Sequence, residues 1–162
     1  MAVLLVTREQ IALALFALVD TTVRNSLTGL GLVSGLVTSG RKLRPLDAVT
    51  TTEMPALFQS QLGEDQDYPP AKMVAIPAKR TMHFLFTLYT ADHLESTVLA
   101  ITQLNAMVDA IETSMYGTGL TPVQTLGGIV TYARIEGKVD IAEDYMQTGK
   151  SVAVIQIEVL RP

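Results

Sequence analysis

The chain has 162 residues, is 48% hydrophobic and carries a net charge of −4, with a pI near 5.1. It contains no cysteine, which excludes disulfides, thiolate nucleophiles and zinc–thiolate sites together and fits a reducing compartment. The acidic balance argues against a domain that grips duplex DNA, since such domains present a basic face.

A chain of this length buries roughly 70% of its unfolded surface, so a single domain, 1–162, needs no metal or disulfide staple. Its mean hydropathy of +0.32 is high. Either the core is large or apolar surface is kept for neighbouring subunits. Residues 1–6 lack the positive stretch and small-residue cleavage site of a signal peptide. The apolar run 11–19 is followed by Asp20 and Arg24 and is too short to cross a bilayer, so no membrane contact is expected.

Thr7-Arg8-Glu9-Gln10 has the form of a capping box, in which Thr7 and Gln10 satisfy orphan amides reciprocally. Ile11, Leu15, Leu18, Val19 and Val23 follow at helical spacing and predict a first helix over 7–27. Gly29, Gly31, Gly35 and Gly40 break up the apolar stretch 27–40, which reads as irregular chain or weak strand. Residues 41–51 read as a short strand interrupted at Pro45, and 56–61 as a second. Residues 62–79 are largely polar and contain Pro69, Pro70 and Pro77, so they read as a long exposed loop, a feature uncommon in compact domains unless it has a task.

The strongest strand is 80–90, with Met82, Phe84, Phe86 and Leu88 on one face and His83, Leu85, Thr87 and Tyr89 on the other. Both faces are apolar enough to predict a central strand, covered by helices on one side and by something else on the other. A second helix is predicted over 92–116. Asp92 and Glu95 can cap it, and Leu94, Val98, Ile101, Leu104, Val108, Ile111 and Met115 form its apolar stripe. Gly117 and Gly119 end it. Residues 129–141 and 151–160 alternate as the strands of a C-terminal hairpin, 129–160. Ala153, Ile155, Ile157 and Val159 point one way, and Val154, Gln156 and Glu158 the other. The order α-β-β-β-α-β-β predicts an α+β fold, two helices packed on a mostly antiparallel β-sheet.

Motifs for catalysis fail on spacing. Gly29-Leu30-Gly31 lacks the last glycine of a dinucleotide loop, where Ser34 stands, and it follows a helix rather than a strand. Ser34 sits one place too late for a nucleophile elbow, and no phosphate-loop motif occurs. The two histidines, His83 and His93, share no ligand spacing; His83, in mid-strand, reads as a satisfied or partly exposed imidazole. Asp65-Gln66-Asp67 lacks the glycine and distal glutamate of a calcium loop and reads as a solvated face. Catalytic, cofactor-binding and metal-ligating residues are therefore expected to be absent.

Two charged groups remain. Glu136, Asp140, Glu143 and Asp144 crowd the last hairpin, where an acid–base pair would need burial to separate its pKa values. The functional alternative is docking against a neighbour's basic patch, which sets orientation more than affinity. Arg41, Lys42 and Arg44 form a basic cluster that fits either such a patch or a solvated edge strand protected against uncontrolled pairing.

The run from Arg41 to Val49 (RKLRPLDAV), followed by Glu53-Met-Pro-Ala-Leu-Phe58, resembles the first strands of the tail terminator proteins of long-tailed bacteriophages. Leu104-Asn105 through Asp109-Ala110-Ile111-Glu112 is similar to that family's second helix, and Gln124 to Gly128, Ile135-Glu136-Gly137 and the apolar last strand to its C-terminal hairpin. The pieces follow the family's order from Arg41 onward. The resemblance implies a non-enzymatic structural part of the virion, assembled in the host cytoplasm. It implies a hexameric ring on the head-proximal end of the tail tube that stops polymerisation and offers a surface to the head–tail connector or head-closure protein. DNA would pass through the lumen without specific binding. Candidate contacts with tube or connector are Glu64, Asp65 and Asp67 in the 64–70 loop and Glu136, Asp140, Glu143 and Asp144 in the hairpin, with Arg41, Lys42 and Arg44 as the basic patch. Two other readings stay open: a head-side neck protein, adaptor or closure component, and a small-molecule-binding α+β domain.

Overall fold

The computed structural model describes residues 6–32, 35–68, 79–92, 98–116, 123–144 and 148–161. Helix α1 spans Arg8–Gly29. Its start is the expected capping box: the Gln10 amide donates to Thr7 Oγ1 at 3.2 Å, and the Thr7 amide donates to Gln10 Oε1 at 2.8 Å. Ile11, Leu15, Val19, Val23 and Leu27 recur at four-residue steps and are all fully buried. By length and composition α1 is long and apolar enough to cross a bilayer, more so than the 11–19 run alone. In this fold its stripe lies in the main core, against the second helix and the sheet. After the helix, Gly31 turns the chain at a φ of +80°, a conformation open to glycine and strained for other residues.

Strand β1 is Thr38–Gly40, three residues ahead of the strand expected at 41–51. That segment instead forms two short 3-10 turns, Leu46–Ala48 and Thr51–Glu53. Local chemistry explains the difference. Pro45 has no N–H to give a ladder, and the Thr50 amide donates to its own neighbour Glu53 Oε2 at 2.9 Å, closing a small capping box.

Strand β2 is Ala56–Asp67, six residues longer than the expected 56–61. Residues 62–67 are therefore strand where a loop was expected; the rest of that expected loop, 69–78 with its three prolines, lies outside the described residues. Backbone pairing with strand β3, Lys79–Ala91, holds the extension, and its side chains are mostly exposed, so composition alone reads as loop. Helix α2 is Ala100–Ser114, shorter than the predicted 92–116. Asp92 does cap it, from eight residues upstream: Asp92 Oδ1 accepts from the Ala100 amide at 2.8 Å. Leu94, Glu95, Gly117 and Gly119 lie outside the described residues. Strands β4, Tyr132–Ala142, and β5, Lys150–Arg161, close the chain as the predicted hairpin.

The five strands form one sheet in the order β1-β2-β3-β5-β4, parallel between β1 and β2 and antiparallel elsewhere. The α+β fold is thus as the sequence predicts, and the order is close to the predicted one, with the first strand at Thr38–Gly40 in place of 41–51. On the inner face Leu57, Met82, Phe84, Phe86, Leu88, Ile155 and Ile157 meet the two helices, each at most 1% exposed. Burial of such a side chain contributes about 1.5–3 kcal/mol, which makes this layer the main source of stability. Among the described residues, the outer face is covered at one end, where residues 46–54 fold over it. Val49, Met54, Ala56, Phe58, Tyr89 and Ala91 form a second small core there. The Phe58 and Tyr89 rings tilt against each other at 5.9 Å, and the Tyr89 hydroxyl donates to Arg44 O at 3.0 Å. This lid is the second cover that the two-sided apolar strand required.

Candidate functional site

Among the described residues, the other end of the outer sheet face is polar and carries no second apolar cover. Alternation along the strands brings Asp65 of β2, His83 of β3, Glu158 and Gln156 of β5, and Arg134 and Glu136 of β4 to this one face. The register places His83 opposite Glu158 and opposite Gly63, where β2 bulges, and Gln156 between Leu85 and Glu136.

Both nitrogens of His83 face carboxylates: Nδ1 lies 2.7 Å from Glu136 Oε2 and Nε2 lies 3.0 Å from Asp65 Oδ2. Carboxylates only accept, so the doubly protonated imidazolium is the form that satisfies both contacts. Burial by itself pushes the imidazole down, but the hydrogen bonds to Glu136 and Asp65 and their charges outweigh it and raise the His83 pKa above its ordinary value. Gln156 Nε2 donates to the same Glu136 oxygen at 2.7 Å. Glu158, 8% exposed, accepts from Tyr132 Oη at 3.1 Å and from Arg134 Nε. The Arg134 guanidinium also stands 5.1 Å from the centre of the Tyr132 ring, a cation–π arrangement.

His83, Glu136 and Glu158 offer donor atoms within 4.8 Å of one another, the group among the described residues nearest to a metal-ligand set. Two tetrahedral zinc ligands stand about 3.3 Å apart, given metal–ligand bonds near 2.0–2.1 Å. The 2.7 Å between Nδ1 and Glu136 is shorter and is the distance of a charge-assisted hydrogen bond. Glu158 is already neutralised by Arg134. In this arrangement His83 and Glu136 share a hydrogen bond and Glu158 is paired with Arg134. No acid–base pair with separated environments is formed among the described hairpin carboxylates either: Asp140, exposed, pairs with Lys138 at 2.6 Å.

Two shallow concavities flank this cluster. One, about 340 Å³, is lined by Asp65, Asp67, Lys79, Thr81, His83 and Glu158. The other, about 440 Å³, is lined by Leu85, Lys138, Asp140, Val154 and Gln156, and the two share Glu136. A third groove, about 580 Å³, runs between the end of α2 and β4 past Met115, Tyr116, Val123 and Val139.

The charged residues singled out in the sequence divide into committed and free. Arg41 pairs with Glu9 and donates to Gln59 Oε1 at 3.2 Å. Arg44 pairs with Glu53 at 2.8 Å. The Arg44 bond and then the Thr50 contacts hold the Glu53 carboxyl down to about 2. Glu64 is not on a free loop: its side chain is 8% exposed, held by Arg8 of α1 and by Arg161 of β5. Asp65 and Glu136 serve His83. Asp144, at a φ of +44°, accepts from the Gly149 amide at 2.7 Å and shapes the β4–β5 turn. Lys42, Asp67 and Glu143 are exposed and make no ion pair among the described residues. The His83 cluster was not assembled from the sequence. The β5 alternation already put Gln156 and Glu158 on one face, but only the register across four strands sets Asp65 and Glu136 at the two ring nitrogens. His93 lies outside the described residues.

No protein-family model matches the chain, and no curated protein matches it. Among solved structures, it is similar to a chain in the virion of a native gene transfer agent particle, with 17% identity and a TM-score of 0.47 over 94% of this chain and 98% of that one. It is also similar to the PVC sheath/tube terminator, in the extended state, of an extracellular contractile injection system, with 10% identity and a TM-score of 0.47. That match covers 99% of this chain and 58% of the other, so the chain spans little more than half the terminator's length.

Proposed function

We propose that the chain is a structural virion protein, a tail terminator that assembles as a hexameric ring on the head-proximal end of a tail tube. The ring would stop tube polymerisation and give the head connector its docking surface. The observation that carries this reading is the pair of unlike sheet edges. The sheet ends in the short parallel β1 on one side and the long, bulged, antiparallel β4 on the other. A ring closed by head-to-tail contacts needs two different surfaces on every subunit, one to meet the other.

Charge supports the same arrangement. Lys42 follows β1 and Glu143 follows β4, and neither is spent on a partner within the described chain. Opposite charges left free beside opposite edges favour one docking orientation over its reverse. Arg41, Arg44 and Glu64 contribute through their own subunit's ion pairs. The net charge of −4 is compatible with DNA passing a lumen without being retained. The sequence resemblance to tail terminators supplies the tube and connector as partners and the virion as the site.

Electron microscopy of the purified protein, alone and mixed with tail tube protein, is the direct test. Rings or capped tubes are expected; a strict monomer that neither forms rings nor caps tubes would sink the reading. Deletion of the protein should give overlong tails that fail to join heads. Tails of normal length that merely fail to join would identify a head-side neck component.

A further inference from the structure

The polar cluster on the outer sheet face plays no part in the ring contacts just described. It sits between strands that the sheet does not otherwise connect directly: β2 and β4 are separated by both β3 and β5. We infer that His83 is a proton-operated clasp, whose imidazolium form ties β2 to β4 across the outer sheet face through Asp65 and Glu136.

Geometry carries the inference. From β3, one ring nitrogen reaches sideways to the adjacent strand and the other reaches over β5 to the edge strand, at 3.0 Å and 2.7 Å. A neutral imidazole has one N–H and one lone pair, so it can donate to only one of the two carboxylates. The other would then set a carboxylate oxygen against a lone pair at hydrogen-bond distance. Nearby charges do not relieve this. Arg134 of β4 is committed to Glu158 of β5, and Tyr132 of β4 donates to the same carboxylate. From β2, Asp67 adds a further negative charge to the concavity, and Lys79 of β3 is the remaining cation among the described residues that line it.

The Asp65 end is the one that releases. Asp65 is 86% exposed, so water takes over its solvation, whereas Glu136 is 37% exposed and keeps the Gln156 amide as a donor. The pH window follows from the raised folded value. The tie contributes fully below the unfolded imidazole pKa of about 6.5, and is lost as pH rises through the higher folded pKa. The clasp is closed in mild acid and open in alkali.

An NMR titration of the imidazole ring signals tests it, with the His83→Gln spectrum assigning His83 against His93. The expected midpoint lies above about 6.5, with both ring nitrogens protonated below it. Asp65→Asn and Glu136→Gln should each move that midpoint down, and the melting temperature should fall from pH 6 to pH 9 by more in the native chain than in His83→Gln. Asp65→Asn keeps the test decisive, because an exposed isosteric change does not threaten folding. A His83 midpoint at or below about 6.5, or one unmoved by both carboxylate variants, overturns the clasp. So does Zn²⁺ binding at neutral pH that His83→Gln abolishes, since the ring would then serve a metal.

Discussion

Arg161 Nη1 and Glu64 Oε1 lie 3.3 Å apart with each side chain only 8% exposed, joining the end of the last strand to the far half of β2. Arg8 of α1 pairs with the other Glu64 oxygen, and Arg161 Nη2 donates to Val6 O at 2.9 Å. Helix, edge-side strand and final strand therefore meet at one carboxylate. Glu64→Gln should lower unfolding stability by about 2 kcal/mol, because it leaves a nearly buried guanidinium without its counter-charge. Burial opposes ionisation of Glu64, but Arg8 and Arg161 together hold its pKa below the usual range. The ion pair's contribution is therefore present above the unfolded carboxylate pKa and lost as pH falls through the folded value. Urea unfolding at pH 7 and at pH 3 should show the Gln variant closest to the native chain at the lower pH.

The N-terminal cap is a separate lever. Thr7→Ala removes one half of the reciprocal pair with Gln10 and should cost about 1 kcal/mol, or about 3 °C in melting temperature. Thr7→Ser keeps the hydroxyl and should cost far less. Equal losses in the two variants would show that the cap contributes nothing.

Glu53 offers an acid titration. Its carboxyl is held down to about 2, chiefly by the Arg44 bond and then by the Thr50 contacts. The pair's contribution is fully present above the unfolded value of about 4.3 and is lost only as pH falls through about 2. Carboxyl NMR signals should place the Glu53 midpoint well below those of exposed glutamates, and Arg44→Gln should move it up toward their range, with the Thr50 contacts keeping it on the low side. A Glu53 midpoint already in that range in the native chain would contradict the ion pair.

Assembly should respond to the free charges and not to the committed ones. Lys42→Glu and Glu143→Lys are surface changes expected to alter stability by less than about 0.5 kcal/mol. Each should nevertheless reduce ring yield by electron microscopy, and the double reversal should restore it if the two edges meet. Normal rings from both single variants would remove these edges from the interface.

Much of the fold was legible because it rests on periodicity. The four-residue steps of α1, the capping box at Thr7 and the two-residue alternation of β3 and β5 are local patterns with local causes. The failures share a cause as well. At 62–67 the strand is held by backbone bonds to β3, which no side-chain pattern announces. At 41–51, read as a short strand interrupted at Pro45, the Thr50–Glu53 box closes a 3-10 turn in place of strand pairing. The candidate charges could not be sorted into paired and unpaired from the sequence, since pairing partners such as Arg41–Glu9 and Glu64–Arg161 are 32 and 97 residues apart.

By itself the sequence determined the two helices, the long strands β3 and β5 and the α+β class, because each follows from spacing within a dozen residues. Only the tertiary structure decided which charges are spent and which remain free, and it alone set His83 between Asp65 and Glu136. Those facts depend on strand register, and register brings together groups that the chain holds 18 and 53 residues apart.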